Sequence, residues 1–160
     1  MPRAKDVWLP LLVVHASMMA STIMWGVIGY MASETMAPAE PMSHGLLLAI
    51  TGAIAAICAA LSFYVRGRLM PAREHAGDKM IAESKLATPA GRRALAKLRG
   101  ALVASWALCE GVALCGLVGT FLFRDASDYA PFGAAALILL VVHAPKPQLL
   151  VDVLRAVPRS

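Results

Sequence analysis

Along this chain, long uncharged apolar runs alternate with short polar or basic stretches. Val7–Met31 holds 25 residues without Lys, Arg, Asp or Glu, and Gly45–Val65 is equally free of them. Gly100–Phe123 carries a single charge, Glu110, near its middle. At about 1.5 Å of helical rise per residue, each run is long enough to cross a hydrocarbon core of roughly 30 Å. A fourth run, Pro131–Ala144, would span only about 21 Å, so it is expected to begin near Tyr129 or to thin the bilayer locally. Beyond Pro145-Lys146-Pro147, the residues Leu149, Leu150, Val153, Leu154 and Val157 recur on one helical face, with Asp152 and Arg155 elsewhere. That pattern predicts a short amphipathic helix, about 148–157, lying on the membrane surface. The expectation is an all-α polytopic membrane protein of one domain, residues 1–160, with four transmembrane helices at about 7–31, 45–65, 100–123 and 129–144.

Local signals sharpen the ends of these runs. The first is too long for the apolar region of a signal peptide, and Pro10 falls in its opening turn, where a missing N–H costs least. Trp8 and Tyr30 mark its two interfaces. The link Ala32–His44 is Pro-rich and contains Glu34 and Glu40 but no basic residue. The stretch 66–99 is different, with nine basic residues against three acidic ones. Thr88 followed by Pro89 has the form of an N-cap and first helical residue, so the third helix is expected to start there and to project its first turns out of the membrane.

Composition fits this picture: 59% of residues are hydrophobic, 16% are charged, and mean hydropathy is +0.66. The net charge of +5 does not point to nucleic acid, because the basic residues flank the apolar runs. With four spans, fourteen of the fifteen Lys and Arg lie on the side of the termini and the 66–99 loop, leaving Arg124 opposite. The positive-inside rule then places both termini and that loop in the cytoplasm, with the protein integral to the cell (inner) membrane. Arg92, Arg93, Lys97 and Arg99 are expected to meet anionic headgroups or a cytoplasmic partner.

Small residues mark the expected helix contacts. Ala107, Gly111, Cys115 and Gly119 recur every four residues, and Gly45, Ala49, Gly52 or Ala53, Ala56 and Ala60 form a comparable row on the second span. Such rows let helices approach closely where lipid supplies no hydrophobic drive for packing. Glu110 lies about 60° from Ala107 around the helix, on the shoulder of the first row. A carboxyl group at this depth costs about 2.5–3.5 kcal/mol on insertion scales, so it is either protonated and hydrogen-bonded or paired with a cation. Counting rise from the start of each span puts His15 about 12 Å and Glu110 about 15 Å deep, which makes His15 a candidate partner in an ion site. The structural alternative gives His15 a hydrogen bond to a neighbouring helix and Glu110 a role in packing. The cysteines read as small packing residues, and His44 and His75 as solvated link residues. No nucleophile–base pair, phosphate loop, haem-spaced histidine pair or metal-ligand cluster is evident, so neither an enzyme nor a cofactor or metal is expected.

The sequence ALCEGVALCGLV resembles the ion-carrying helix of the proteolipid c subunits of rotary ATPases, in which A-L-x-E-x-x-A-x-x-G-L-V surrounds the ion-binding carboxylate. The matching positions are Ala107, Leu108, Glu110, Ala113, Gly116, Leu117 and Val118, and the basic run RRALAKLRGAL is similar to the approach to that helix. The resemblance covers about 30 of the 160 residues. The glycine-rich helix that c subunits place before this one is absent, and two further apolar runs are present. What the resemblance implies is a homo-oligomeric membrane subunit whose Glu110 binds a proton or cation. The rival reading is a non-transporting accessory protein in which the acid fixes helix packing.

Overall fold

A computed structural model describes residues 4–35, 43–69 and 88–155. Within them the chain forms five α-helices: α1 (Ala4–Thr35), α2 (His44–Leu69), α3 (Pro89–Phe123), α4 (Tyr129–Val142) and α5 (Pro147–Arg155). A 3-10 turn, Ala126–Asp128, joins α3 to α4. The expectations placed on residues 1–3, 36–42, 70–87 and 156–160 lie outside the described residues.

Helix α3 begins where its cap chemistry directs. The Thr88 hydroxyl accepts a hydrogen bond from the Gly91 N–H at 3.0 Å, and Pro89 occupies the first turn, where no N–H is needed. The helix then runs 35 residues, about 52 Å, which exceeds a bilayer core by several turns. It ends at Arg124 in the left-handed conformation (φ 59°), whose N–H returns to the Thr120 carbonyl at 2.8 Å. The 66–99 stretch is therefore helical at both ends, as the close of α2 and the opening turns of α3.

Three helices are long and apolar enough to cross a membrane: Trp8–Thr35, His44–Arg68 and Pro89–Phe123. The fourth apolar helix is shorter, with 14 residues ending at Val142, and His143 serves as its C-cap. Contacts fix the directions. Gly29 meets Leu117 and Thr120 of α3 while His15 meets Trp106, so α1 and α3 run parallel. Ser62 pairs with Ser105 and Cys58 lies beside Gly111, so α2 runs antiparallel to α3. Phe132 packs on Gly116 while the His143 carbonyl receives Trp106, so α4 is antiparallel too. Helix α3 is the element that α1, α2, α4 and α5 all pack against.

The core divides by level. Around the first half of α3, Leu98, Leu102, Trp106 and Cys109 pack with Leu11, Leu140, Leu149 and Leu154. Near its middle the side chains are small: Val112 and Ala113 meet Ala55 and Ala136. The amphipathic α5 is present, but its apolar face does not lie free on a surface. Leu149 and Leu154 join the α3 core, and Leu154 is fully buried. The projecting turns of α3 expose an apolar stripe through Leu95 and Leu98, and α5 covers it from the same chain.

Helix α2 presents a different face to α3 from the row of small residues. Leu47, Thr51, Ala55 and Ser62 are buried, while Gly45, Ala49, Ala56 and Ala60 are exposed. A Cβ built on Gly52 meets nothing within 4 Å. The buried face of α2 is set by Leu47, Thr51, Ala55 and Ser62, and a row of small residues alone does not decide which face turns inward. Within the chain, Gly52 and Ala56 thus face outward.

Candidate functional site

Glu110 sits half-buried on the flank of α3 that faces α1. Its Oε1 accepts a hydrogen bond from the Trp25 indole Nε1–H at 3.1 Å. The Ser21 hydroxyl is hydrogen-bonded to the same oxygen. Ser21 and Trp25 are four residues apart, so one face of α1 carries both. Between them Thr22 is buried, and its carbonyl accepts the Tyr129 hydroxyl from α4. A carboxyl group, a hydroxyl, an indole and a phenol thus converge from three helices. The chain is drawn close there because Gly26 lies against the Tyr129 ring, where a Cβ would stand only 2.9 Å from Cε1.

His15 does not take part in this cluster. Its ring tilts at 50° against Trp106 with centroids 5.0 Å apart, one helical turn of α3 away from Glu110. It is buried, at 7% exposure, and its Nδ1 has no hydrogen-bond partner. Counting depth from the first apolar residue of each span placed His15 opposite Glu110. The two helices are in fact offset by about a turn, with His15 level with Trp106 and Ser21 and Trp25 level with Glu110. Trp106, also buried, donates Nε1–H to the His143 carbonyl at 3.0 Å, while Arg66 donates to the Val142 carbonyl at 2.9 Å. Those two donors satisfy carbonyls that the end of α4 would otherwise leave unpaired.

The small residues of α3 do unequal work. Ala107 is exposed, and Cys115 is half-buried beside the small-residue core. A Cβ on Gly111 would lie 3.6 Å from Cys58 Sγ, and one on Gly119 would lie 3.5 Å from Asp128 Cβ, both ordinary contacts. The tightest approach on α3 is at Gly116, where a Cβ would come within 2.6 Å of Phe132 Cβ. Arg92, Arg93, Lys97 and Arg99 are all exposed on the first turns of α3, on faces that α5 leaves open. Cys58, Cys109 and Cys115 are free thiols. Among the described residues no three His, Cys, Asp or Glu side chains are grouped as metal ligands would be.

At the opposite end of the bundle, His44 is not simply solvated. It opens α2, contacts Asp128 through Nε2 at 3.0 Å and meets the Phe123 ring edge-on at 4.3 Å. Asp128 is largely buried. The partners of Glu110 are readable in part: Ser21 and Trp25 have i, i+4 spacing, which puts a hydroxyl and an indole N–H on one face of an uncharged run. The Tyr129 contact depends on how α4 turns back and carries no local signal. No family model, curated protein or solved structure matches this chain.

Proposed function

We propose that the chain is an integral membrane subunit in which Glu110 is a reversible proton or cation site, held by Ser21 and Trp25. In this reading α1 to α4 are the four spans, and the termini and the 66–99 stretch face the cytoplasm of the cell inner membrane. The observation that carries it is the pairing of a mid-span carboxyl group with two groups that can follow its charge. A hydroxyl can donate or accept, and an indole N–H donates in either state. The resemblance of its surroundings to c-subunit helices supports the same reading, as does the exposed row Gly52–Ala56–Ala60 for assembly with further copies and with lipid. Arg92, Arg93, Lys97 and Arg99 would meet anionic headgroups or a cytoplasmic partner.

A second reading has its own support. The same hydrogen bonds cross from α1 to α3, so Glu110 also fixes their register, as an accessory protein without transport would require. Infrared difference spectra of the reconstituted protein between acidic and alkaline buffer separate the two. Reversible loss of a protonated-carboxyl band, absent in Glu110→Gln, is the expected result. A Glu110→Gln protein that assembles and gives the parent's spectrum would leave the packing role alone.

A further inference from the structure

Resting on the reading of Glu110 as a titratable site, we propose that its ligand is the proton and that the site is closed to metal cations. The argument is a count of hydrogens against contacts. Ser21 Oγ has one hydrogen, yet it lies in hydrogen-bonding contact with two acceptor oxygens: Glu110 Oε1 and the Met18 carbonyl, the latter at 2.9 Å. The Trp25 N–H supplies the hydrogen for a third contact, also to Oε1. With Glu110 ionised, three contacts share two hydrogens, and one oxygen pair faces lone pair to lone pair. A proton on Oε1 supplies the third. Oε1–H then donates to Ser21, Ser21 donates to Met18, and Oε1 still accepts from Trp25 through its remaining lone pair. Each contact then holds one hydrogen, in one continuous chain.

The same groups are poor company for a metal ion. Hard cations such as calcium and magnesium take shells of about six or more oxygens. Among the described residues the oxygens here are the carboxyl group, the Ser21 and Tyr129 hydroxyls and the Thr22 and Met18 carbonyls, and the phenol and the Thr22 carbonyl are already bonded to each other. Trp25 aims an N–H, which carries no lone pair, at the oxygen a cation would need. The Met18 carbonyl is engaged by the Thr22 hydroxyl at 3.0 Å as well as by Ser21. The titratable groups around Glu110 are few. Tyr129 from α4 bonds the Thr22 carbonyl, beside Ser21 on α1. His15 on α1 lies a turn away against Trp106, and among the described residues α2 brings the Cys58 thiol to neighbouring Gly111. None offers a second carboxylate to complete a cation shell.

Dicyclohexylcarbodiimide reacts with protonated carboxyl groups in apolar surroundings, and it provides the test. The intact protein in liposomes is labelled across a pH series, with sodium, lithium or calcium added against an impermeant organic cation at equal ionic strength. The modified residue is identified by peptide mass. The expected result is labelling at Glu110 that falls with rising pH and whose rate is unchanged by any of the three ions. Protection by sodium, lithium or calcium would overturn the proton assignment and leave the titratable site standing. Absence of Glu110 labelling at every pH in assembled protein would overturn the site itself, and the proton assignment with it.

Discussion

Helices α1 and α2 both lie along α3, but they are attached in opposite ways. Helix α1 is tied in its middle third, where Ser21 and Trp25 bond Glu110 and the Thr22 carbonyl bonds Tyr129. Helix α2 is tied at its ends, by His44 to Asp128 at one and by Arg66 to the Val142 carbonyl at the other. Between those ties α2 offers Ala55, Cys58 and Ala59 to α3, and an apolar cleft of about 280 Å³ opens between α2 and α4 over Val112. The difference matters because water competes for polar groups at the ends of a bundle and not at its centre. Mid-helix bonds between α1 and α3 hold register, and each contributes about 0.5–1.5 kcal/mol. Small-residue contacts along α2 hold distance and leave register to the two ends and to the Ser105 hydroxyl, which donates to the Ser62 carbonyl at 3.3 Å. The polar centre and the apolar cleft of the bundle are thus on opposite flanks of one helix.

The largest effect expected from breaking this contrast is on the glycine contacts. Gly116→Ala places a Cβ 2.6 Å from Phe132 Cβ, and overpacking of that kind costs about 1–3 kcal/mol. Gly111→Ala on the α2 flank meets Cys58 at 3.6 Å and should shift stability by less than about 0.5 kcal/mol. Thermal unfolding of the two variants in one detergent measures both. Equal losses would mean that α2 packs as tightly as α4 does.

A smaller effect is expected at the polar centre. Trp25→Phe keeps the ring and removes the N–H that reaches Glu110, a loss of about 0.5–1.5 kcal/mol. Trp25→Phe in a Glu110→Ala background should cost less than in the parent, because the acceptor is already gone. A double-mutant cycle in the same unfolding assay reads the difference, and strict additivity would mean that the two side chains do not interact. His44→Ala, which cuts a tie that is 49% exposed on the histidine side, should cost less than about 1 kcal/mol. It should also raise hydrogen exchange in the first turns of α2 while leaving α1 unchanged. Exchange rising equally in both helices would remove the distinction between end ties and centre ties.

How much of this was legible in the sequence follows the same division. Signals confined to one helix read true: Thr88-Pro89 opens α3, and the spacing of Leu149 and Leu154 gives α5 its apolar face. What α5 covers was not legible, because the stripe it covers lies fifty residues earlier on the part of α3 taken as a headgroup contact. The row of small residues on α2 was visible as a pattern, yet it faces outward, since Leu47, Thr51 and Ala55 make the buried face. At the candidate site, Glu110 stood out alone as a charge in an apolar run. Its partner His15 was inferred from matching depths, and an error of one helical turn was enough to put Trp106 in its place. Sequence gives the angle of a residue around its helix far more reliably than the offset between two helices.

The smallest effect concerns the turn that returns the chain from α3 to α4, and it serves as the control for the comparison. Asp125 caps this turn: its Oδ1 accepts the Ser127 N–H at 2.9 Å. Hydrogen bonding from Ser127 holds the carboxyl group of Asp125 below its ordinary range, with a lesser contribution from the charge of His44. A carboxylate lowered on folding adds stability that is fully present above its unfolded value of 3.8. That contribution is lost as pH falls through the still lower folded value. Asp125→Asn retains an acceptor oxygen without the charge. Parent and variant should therefore differ slightly in melting temperature at neutral pH and converge in strong acid. The carboxylate is fully exposed, so solvent screens it, and the difference should be smaller than that of any variant on the two flanks of α3. A pH-independent gap between parent and Asp125→Asn would mean that the turn is held by shape alone. A gap larger than that of Gly116→Ala would move the weight of the fold from the flanks of α3 to its outer end.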